Sequence, residues 1–171
     1  MNSPQNNTPD FSLLGQAIEK LPFEFSVDDC NKEIFEQLKM YFTGNLEFEK
    51  NGMSLRKGVL LQGRVGSGKT IMMQLFRQYG KYSMNRCNEI ALAFSVDGSE
   101  CFTNLSEHNR CFDDLGSEPE TKHFGEATNL IREIIQRRAY QFINKGLITH
   151  FTTNLTGQQI AESTVKGSYP G

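Results

Sequence analysis

Eight residues beginning at Gly63 combine glycines, a lysine and a hydroxyl group. The segment Gly-Arg-Val-Gly-Ser-Gly-Lys-Thr matches the pattern G-x-x-x-x-G-K-[ST] in full. Glycines let the backbone turn so that successive N–H groups point at one anion, the lysine adds a positive charge, and the threonine hydroxyl can ligate Mg²⁺. The pattern predicts a phosphate-binding loop (P-loop) for a nucleoside triphosphate with Mg²⁺. Its predicted contacts are Gly63, Val65, Gly66, Ser67, Gly68, Lys69, Thr70 and Ile71.

Two adjacent acids follow a second apolar segment. Residues 110–114 read as a strand that ends in Asp113 and Asp114, and a P-loop needs such an acid to hold the Mg²⁺ shell. We expect Asp113 to bind Mg²⁺ with Thr70, and Asp114 to act as the general base for the attacking water. Glu118 is a rival for the base, and a plain turn after the strand is the structural alternative.

Asn154 closes another segment rich in β-branched residues. The carboxyl ends of neighbouring parallel strands converge on a ligand, so a polar side chain there can contact the γ-phosphate or the attacking water. We expect Asn154 to share a catalytic role with Lys69 and Asp114. It could also cap the helix predicted to follow, and the two roles are compatible.

Apolar patterns predict the elements that position these residues. Strands are predicted at residues 58–62, 89–96, 110–114 and 147–153, and helical periodicity appears at residues 11–21, 34–42, 71–79 and 130–143. Residue 146, a glycine, is expected to end the last of these helices. Strands that alternate with helices indicate an α/β fold with a mainly parallel sheet.

Composition narrows the class of protein. The chain has 171 residues, 37% hydrophobic and 22% charged, which indicates one globular domain rather than a disordered chain. The net charge of −2 gives no overall basic footprint, although residues 1–50 carry −5 and the remainder +3. No apolar run approaches the roughly 20 residues of a membrane span, and the N-terminus lacks signal-peptide features. We therefore expect a cytoplasmic protein with no membrane partner.

The cysteines, the histidines and the arginines of the last long helix are predicted to have structural rather than catalytic roles. The four cysteines contain no C-x-x-C pair and read as reduced thiols. A metal site built from Cys101, His108 and Cys111 would match no common ligand spacing. The three histidines are predicted to lie on the surface or pack against the sheet: His108, His123 and His150. The arginines of the last long helix are predicted to be solvated, with a subunit or DNA contact as the alternative: Arg132, Arg137 and Arg138.

Three segments together resemble one family. Gly-Arg-Val-Gly-Ser-Gly-Lys-Thr, Cys-Phe-Asp-Asp-Leu-Gly-Ser-Glu and Thr-Thr-Asn-Leu-Thr resemble, in order and spacing, the AAA+ ATPases of the DnaC/IstB-like family. These are bacterial helicase loaders and insertion-sequence transposition helpers. The resemblance implies an α/β P-loop NTPase of AAA+ type, with a mainly parallel five-stranded sheet flanked by helices. It places the core at residues 21–160, a tail and helix at 1–20, and a short irregular tail at 161–171.

The same resemblance implies roles and partners. Lys69 and Thr70 take the Walker A roles, Asp113 and Asp114 the Walker B roles, and Asn154 the sensor 1 role. The resemblance implies ATP as the nucleotide; the residues themselves show no base-reading motif that distinguishes ATP from GTP. The implied partners are further copies of the chain in a homo-oligomer, single-stranded DNA, and a replicative helicase or a transposase.

One departure from the family changes the expected activity. Family members continue past sensor 1 to an arginine finger and a helical lid, whereas no arginine follows Arg138 here, and we expect this chain to lack both. An arginine finger can contribute several orders of magnitude in rate. We therefore expect an ATPase that binds ATP and hydrolyses it slowly alone. The alternatives are a non-catalytic nucleotide-binding interaction module and, with less support, a small-molecule P-loop kinase.

Overall fold

A parallel sheet of four strands forms the centre of the protein. The computed structural model describes residues 12–117, 121–123 and 126–165. The strand order is β1-β6-β3-β2, with β1 at Leu60–Gln62, β2 at Tyr82–Arg86, β3 at Asn109–Leu115 and β6 at Thr149–Thr153. A separate antiparallel pair consists of β4 (Thr121–His123) and β5 (Glu126–Thr128).

Helices cover both faces of this sheet. One face packs against α1 (Ser12–Glu19), α2 (Lys32–Phe42) and α3 (Lys69–Gly80), and the other against α4 (Cys87–Asp97) and α5 (Leu130–Lys145). A further helix, α6 (Gly157–Val165), lies beside α5. Short 3-10 segments occur at Leu46–Asn51, Gly98–Phe102 and Asn104–Ser106. No helix among the described residues is long and apolar enough to span a bilayer.

Two neighbouring residues of β3 anchor two separate cores. Cys111 is buried among side chains of α1, α2 and α3, whereas Phe112 is buried among those of α4 and α5. Successive side chains of a strand point to opposite faces, so one central strand serves both cores. The result is a three-layer α/β/α arrangement, as the alternation of strands and helices predicts.

The second strand of the sheet is not where the sequence pattern places it. Residues 89–96 were expected to form a strand because Ile90, Leu92, Phe94 and Val96 alternate, but they lie in α4. Leu92 and Val96 are 70% and 71% exposed, while Ile90 and Phe94 are buried. Burial therefore follows the helical spacing of four residues. The strand that follows α3 in the chain is β2, and its polar residues hid the strand pattern in the sequence.

Two further expectations need correction. The sheet has four strands rather than five in the part of the chain that the structure describes. The segment 161–171 was expected to be irregular throughout, yet α6 continues to Val165. Residues 166–171 lie outside the described residues.

Arg138 is buried, contrary to the expectation of a solvated side chain. Only 3% of it is exposed, and its guanidinium donates to Thr149 Oγ1 at 2.7 Å and to the carbonyl oxygens of Leu105 and His108 at 2.9 and 3.1 Å. Burial, together with the nearby charge of Arg110, lowers its pKa to about 10. Arg138 thus fastens α5 to the segment before β3 and to the start of β6.

His150 packs beneath the sheet among aromatic rings, in agreement with the sequence prediction. Its ring centroid lies 4.8 Å from that of Tyr82, 5.4 Å from Phe42 and 5.8 Å from Tyr41. The Val59 N–H donates to His150 Nδ1 at 3.1 Å, which requires that nitrogen to be unprotonated. Burial lowers the pKa of His150 to about 4, so the folded protein holds it neutral.

Acid should destabilise the fold through His150. The pKa is about 4 in the folded state and about 6.5 when unfolded, so the unfolded chain binds more protons between these values. The free energy of unfolding should fall as pH drops from 6.5 to 4, by at most about 3 kcal/mol. Urea unfolding across this range measures the slope. His150→Asn keeps an acceptor for Val59 and should flatten it, whereas His108→Asn, at an exposed position, should not. Equal slopes in the two variants would contradict the assignment.

Candidate nucleotide-binding site

The P-loop connects β1 to α3 and has the backbone of an anion cradle. Gly66 and Gly68 have φ angles of 80° and 82°, in the left-handed region that favours glycine. A Cβ at either position would meet nothing within 4 Å. Backbone conformation, rather than crowding, therefore requires these glycines. Gly68 precedes α3, whose first turn offers N–H groups that lack partners within the helix.

Lys69 lies across this loop and reaches the neighbouring strand end. Its Nζ donates to the carbonyl oxygens of Gly63 and Arg64, both at 2.9 Å, and to Asn154 Oδ1 at 2.8 Å. The ammonium is therefore positioned between the loop and the end of β6. A positive charge at this place can neutralise phosphate oxygens held by the loop.

Thr70 and Asp113 form a pair of oxygen donors at the start of α3. The Thr70 hydroxyl lies 2.8 Å from Asp113 Oδ1 and 3.1 Å from Oδ2. Mg²⁺ prefers oxygen ligands, often one or two carboxylates together with substrate phosphates and waters. This donor set fits Mg²⁺ beside a bound phosphate, with Thr70 as a direct ligand and Asp113 close enough to act directly or through water.

Asp114 occupies a bulge in β3. Between Phe112 and Leu115 the pairing with β6 slips, so that Asp113 and Asp114 together stand opposite the single residue Thr152. Asp114 has a φ of 62°, a conformation that aspartate tolerates better than most residues. On a regular strand these two side chains would point to opposite faces. The bulge instead brings both carboxylates to the P-loop edge of the sheet.

Asn154 links Lys69 to Asp114. Its Nδ2 donates to Asp114 Oδ1 at 2.8 Å, while its Oδ1 accepts from the Lys69 ammonium. The alternative role predicted for Asn154, a helix cap, belongs to a different residue. Thr156 Oγ1 accepts from the Gln159 N–H at 3.2 Å and Gln159 Oε1 accepts from the Thr156 N–H at 2.8 Å, a reciprocal capping box for α6.

Most of the predicted site residues meet at one place, but the side chains of two predicted loop contacts point elsewhere. Lys69, Thr70, Asp113, Asp114 and Asn154, from three separate segments, meet at the carboxyl edge of the sheet. The Val65 side chain is 85% exposed, and that of Ile71 packs in the core beside α1 and α2. These two can therefore meet a ligand through their backbone N–H groups. Glu118, the rival base, lies outside the described residues.

The remaining candidates do not form a metal site. Cys101 packs against the core under α4 and α5, whereas Cys111 belongs to the core on the opposite face of the sheet. Burial raises the pKa of both thiols, so neither is the thiolate that metals prefer. Among the described residues no three His, Cys, Asp or Glu side chains cluster as a metal site. His108 is exposed, as predicted.

Sequence reasoning missed Thr152. Its hydroxyl donates to Asp113 Oδ1 at 2.6 Å and accepts from the Asp114 N–H at 2.8 Å. The sequence did contain a signal for Thr152, because side chains two residues apart in a strand point to the same face. Thr152 therefore had to point the same way as Asn154, which was a predicted site residue.

Comparison with known proteins identifies the fold. The chain matches no protein-family model and no curated protein at a significant level. The solved structures to which it is similar include two replication-related proteins by their descriptions. One is a proposed primosome component from Streptococcus pyogenes serotype M3, with 16% identity, 80% of this chain and 75% of that chain covered, and a TM-score of 0.50. The other is AMPPCP-bound DnaA from Aquifex aeolicus, with 16% identity, 81% and 45% coverage, and a TM-score of 0.52.

These similarities concern the fold alone, because the sequence identities are low. This chain spans less than half of the DnaA chain, of which 45% is covered. The expected α/β fold, a parallel sheet flanked by helices, is thereby confirmed, with four strands among the described residues in place of the five expected.

Gly116 holds the turn that follows the two acids. Its φ is 91°, and a Cβ there would collide with the Leu155 side chain, next to Asn154. Gly116→Ala should lower the free energy of unfolding by about 1–2 kcal/mol for the backbone conformation alone, and by more because Leu155 must move. Urea unfolding measures the loss. Gly146→Ala is the matched control, since Gly146 has a φ of 66° and open space around it. Equal losses would show that the contact with Leu155 is unimportant.

Proposed function

We propose that this chain is a P-loop ATPase of helicase-loader type, which couples the binding and hydrolysis of Mg-ATP to assembly on DNA or with a replication or transposition partner. One observation carries the proposal. A lysine, a hydroxyl, two carboxylates and an amide from separate segments meet at a single edge of the sheet. This is the set of groups that positioning and charge neutralisation in phosphoryl transfer require.

The P-loop and Lys69 bind the phosphates. Backbone N–H groups of the loop and the first turn of α3 face the β- and γ-phosphate oxygens, and Lys69 exchanges its loop carbonyl partners for phosphate. Thr70 and Asp113 would hold Mg²⁺, which would supply positive charge against the phosphate oxygens.

Asp114 and Asn154 act on the water that attacks the γ-phosphate. Asp114 accepts a proton from that water, and Asn154 orients either the water or the phosphate. The hydrogen bond from Asn154 Nδ2 to Asp114 supports this assignment, because it joins the two side chains on the side of Lys69. Without a contribution from another subunit, we expect turnover to be slow.

The choice of nucleotide and partners rests on similarity to known proteins. One similar structure is DnaA with AMPPCP, a non-hydrolysable analogue of ATP, and the other is described as a primosome component. The AMPPCP bound to DnaA supports ATP as the nucleotide, and the description as a primosome component supports DNA replication as the setting. A homo-oligomer, single-stranded DNA, and a replicative helicase or transposase are the partners that this function requires.

Lys69→Ala should abolish nucleotide binding, because it removes the charge that faces the phosphates. Thermal unfolding with Mg-ATP, with Mg-GTP and without nucleotide measures binding, since a ligand of the folded state raises the apparent stability by about 2.7 kcal/mol at 100 times its Kd. Wild type should respond to Mg-ATP and Lys69→Ala should not. Lys50→Ala is the control, because Lys50 is an exposed lysine paired with Glu47 away from the loop. A full response from Lys69→Ala would refute the proposed phosphate site.

Asp114→Asn should keep nucleotide binding but lower ATP turnover by about 10²–10⁴-fold. Asparagine tolerates the left-handed backbone at this position and retains an oxygen for Asn154, so the substitution removes the base without disturbing the site. Phosphate release measured with and without single-stranded DNA is the assay, and wild-type turnover should rise with DNA.

Glu118→Gln is the matched variant for this assay. If Glu118→Gln loses turnover and Asp114→Asn does not, the base is Glu118. If wild type binds Mg-ATP but shows no turnover with DNA present, the chain is a nucleotide-binding module rather than an ATPase.

A further inference from the structure

Thr152 is a buried hydroxyl placed between the two acids. It lies on β6 with 1% of its surface exposed. Its hydroxyl donates to Asp113 Oδ1 at 2.6 Å and accepts from the backbone N–H of Asp114 at 2.8 Å. A hydroxyl has one proton to donate and lone pairs that accept. Both capacities are used here, on two successive residues of β3.

The bulge explains why a side chain is needed at this point. Two residues of β3 stand opposite Thr152 alone, so the backbone pairing between the strands is interrupted. The N–H of Asp114 bonds instead to the Thr152 hydroxyl, and this fixes Asp114 at its φ of 62°. The hydroxyl thus takes the place of a backbone acceptor and holds the bulge that brings both carboxylates to one edge.

We infer that Thr152 is a positioning residue for Mg²⁺ and for the general base of the reaction. The inference rests on the function proposed above. By holding Asp113 Oδ1, Thr152 sets how that carboxylate faces the Thr70 hydroxyl, which contacts the same oxygen at 2.8 Å. By holding the Asp114 N–H, it sets where the second carboxylate meets Asn154. Groups that orient metal-binding side chains in this way typically affect metal affinity or activity by about 10–100-fold.

The neighbouring residue provides a matched control. Thr153 is also fully buried, and its hydroxyl donates to the Leu115 carbonyl at 2.6 Å and accepts from the Leu155 N–H at 3.0 Å. It therefore has the same chemistry and burial as Thr152, but it contacts neither acid. Any effect of simply losing a buried hydroxyl from β6 should appear equally at the two positions.

The test titrates Mg²⁺ against binding of a fluorescent ATP analogue, with Mg²⁺-dependent phosphate release as a second readout. Thr152→Val preserves shape but removes the hydroxyl, and it should raise the half-saturating Mg²⁺ concentration by roughly 10–100-fold. Thr152→Ser restores the hydroxyl and should approach wild type. Thr153→Val should leave the Mg²⁺ dependence unchanged. In an Asp113→Asn background, Thr152→Val should add no further loss, because it acts on Mg²⁺ through that carboxylate.

The outcomes separate this inference from the function on which it rests. Wild-type Mg²⁺ dependence in Thr152→Val, or an equal loss in Thr153→Val, would overturn the positioning role while leaving the proposed ATPase intact. Failure of serine to restore Mg²⁺ affinity would overturn it as well. If wild type itself binds no analogue at any Mg²⁺ concentration, the proposed function falls and the inference with it.

Discussion

The carboxylate of Asp113 ties the phosphate loop to the sheet. It is 4% exposed, and an ionised group at such depth is costly unless hydrogen bonds compensate. Two hydroxyls meet it, from Thr70 at the start of α3 and from Thr152 on β6. Loop, central strand and neighbouring strand are therefore held together at one point. None of the three can move far without leaving this charge poorly compensated.

One face of β6 connects the Asp113 hydrogen bonds to the core. His150 and Thr152 share a face of the strand, and Asn154 continues the same alternation one residue beyond its end. His150 sits among aromatic rings, Thr152 holds the acids, and Asn154 bonds to Lys69. The packing under the sheet and the geometry at its edge therefore belong to one continuous strand.

The sequence predicted the parts of the site that depend on local spacing. The P-loop and the acid pair are short contiguous motifs, and their backbone requirements can be recognised without tertiary information. The bulge that places the carboxylates of Asp113 and Asp114 on the same side could not be predicted, because it arises from pairing with β6, some 40 residues away in sequence. The same limit applies to Arg138, whose acceptors come from distant segments.

The misassigned strand has a different physical origin. Residues 90–96 satisfy a strand pattern and a helix pattern at once, and short apolar segments do not distinguish the two. Tertiary packing selects the helix: Ile90 and Phe94 face the core, while Leu92 and Val96 remain exposed. β2 escaped prediction because its five residues include polar as well as apolar side chains, although it pairs with β3 along its whole length.

The amide of Asn154 is confined to a single orientation. An ammonium can only donate and a carboxylate can only accept, so the oxygen must face Lys69 and the nitrogen must face Asp114. Rotating the amide by half a turn would place its N–H donors against the Lys69 ammonium and its oxygen acceptor against the Asp114 carboxylate. An acid at this position would repel Asp114, and a base would repel Lys69. The end of β6 therefore demands a side chain that is neutral yet polarised in one direction, which few residue types other than asparagine provide at this length.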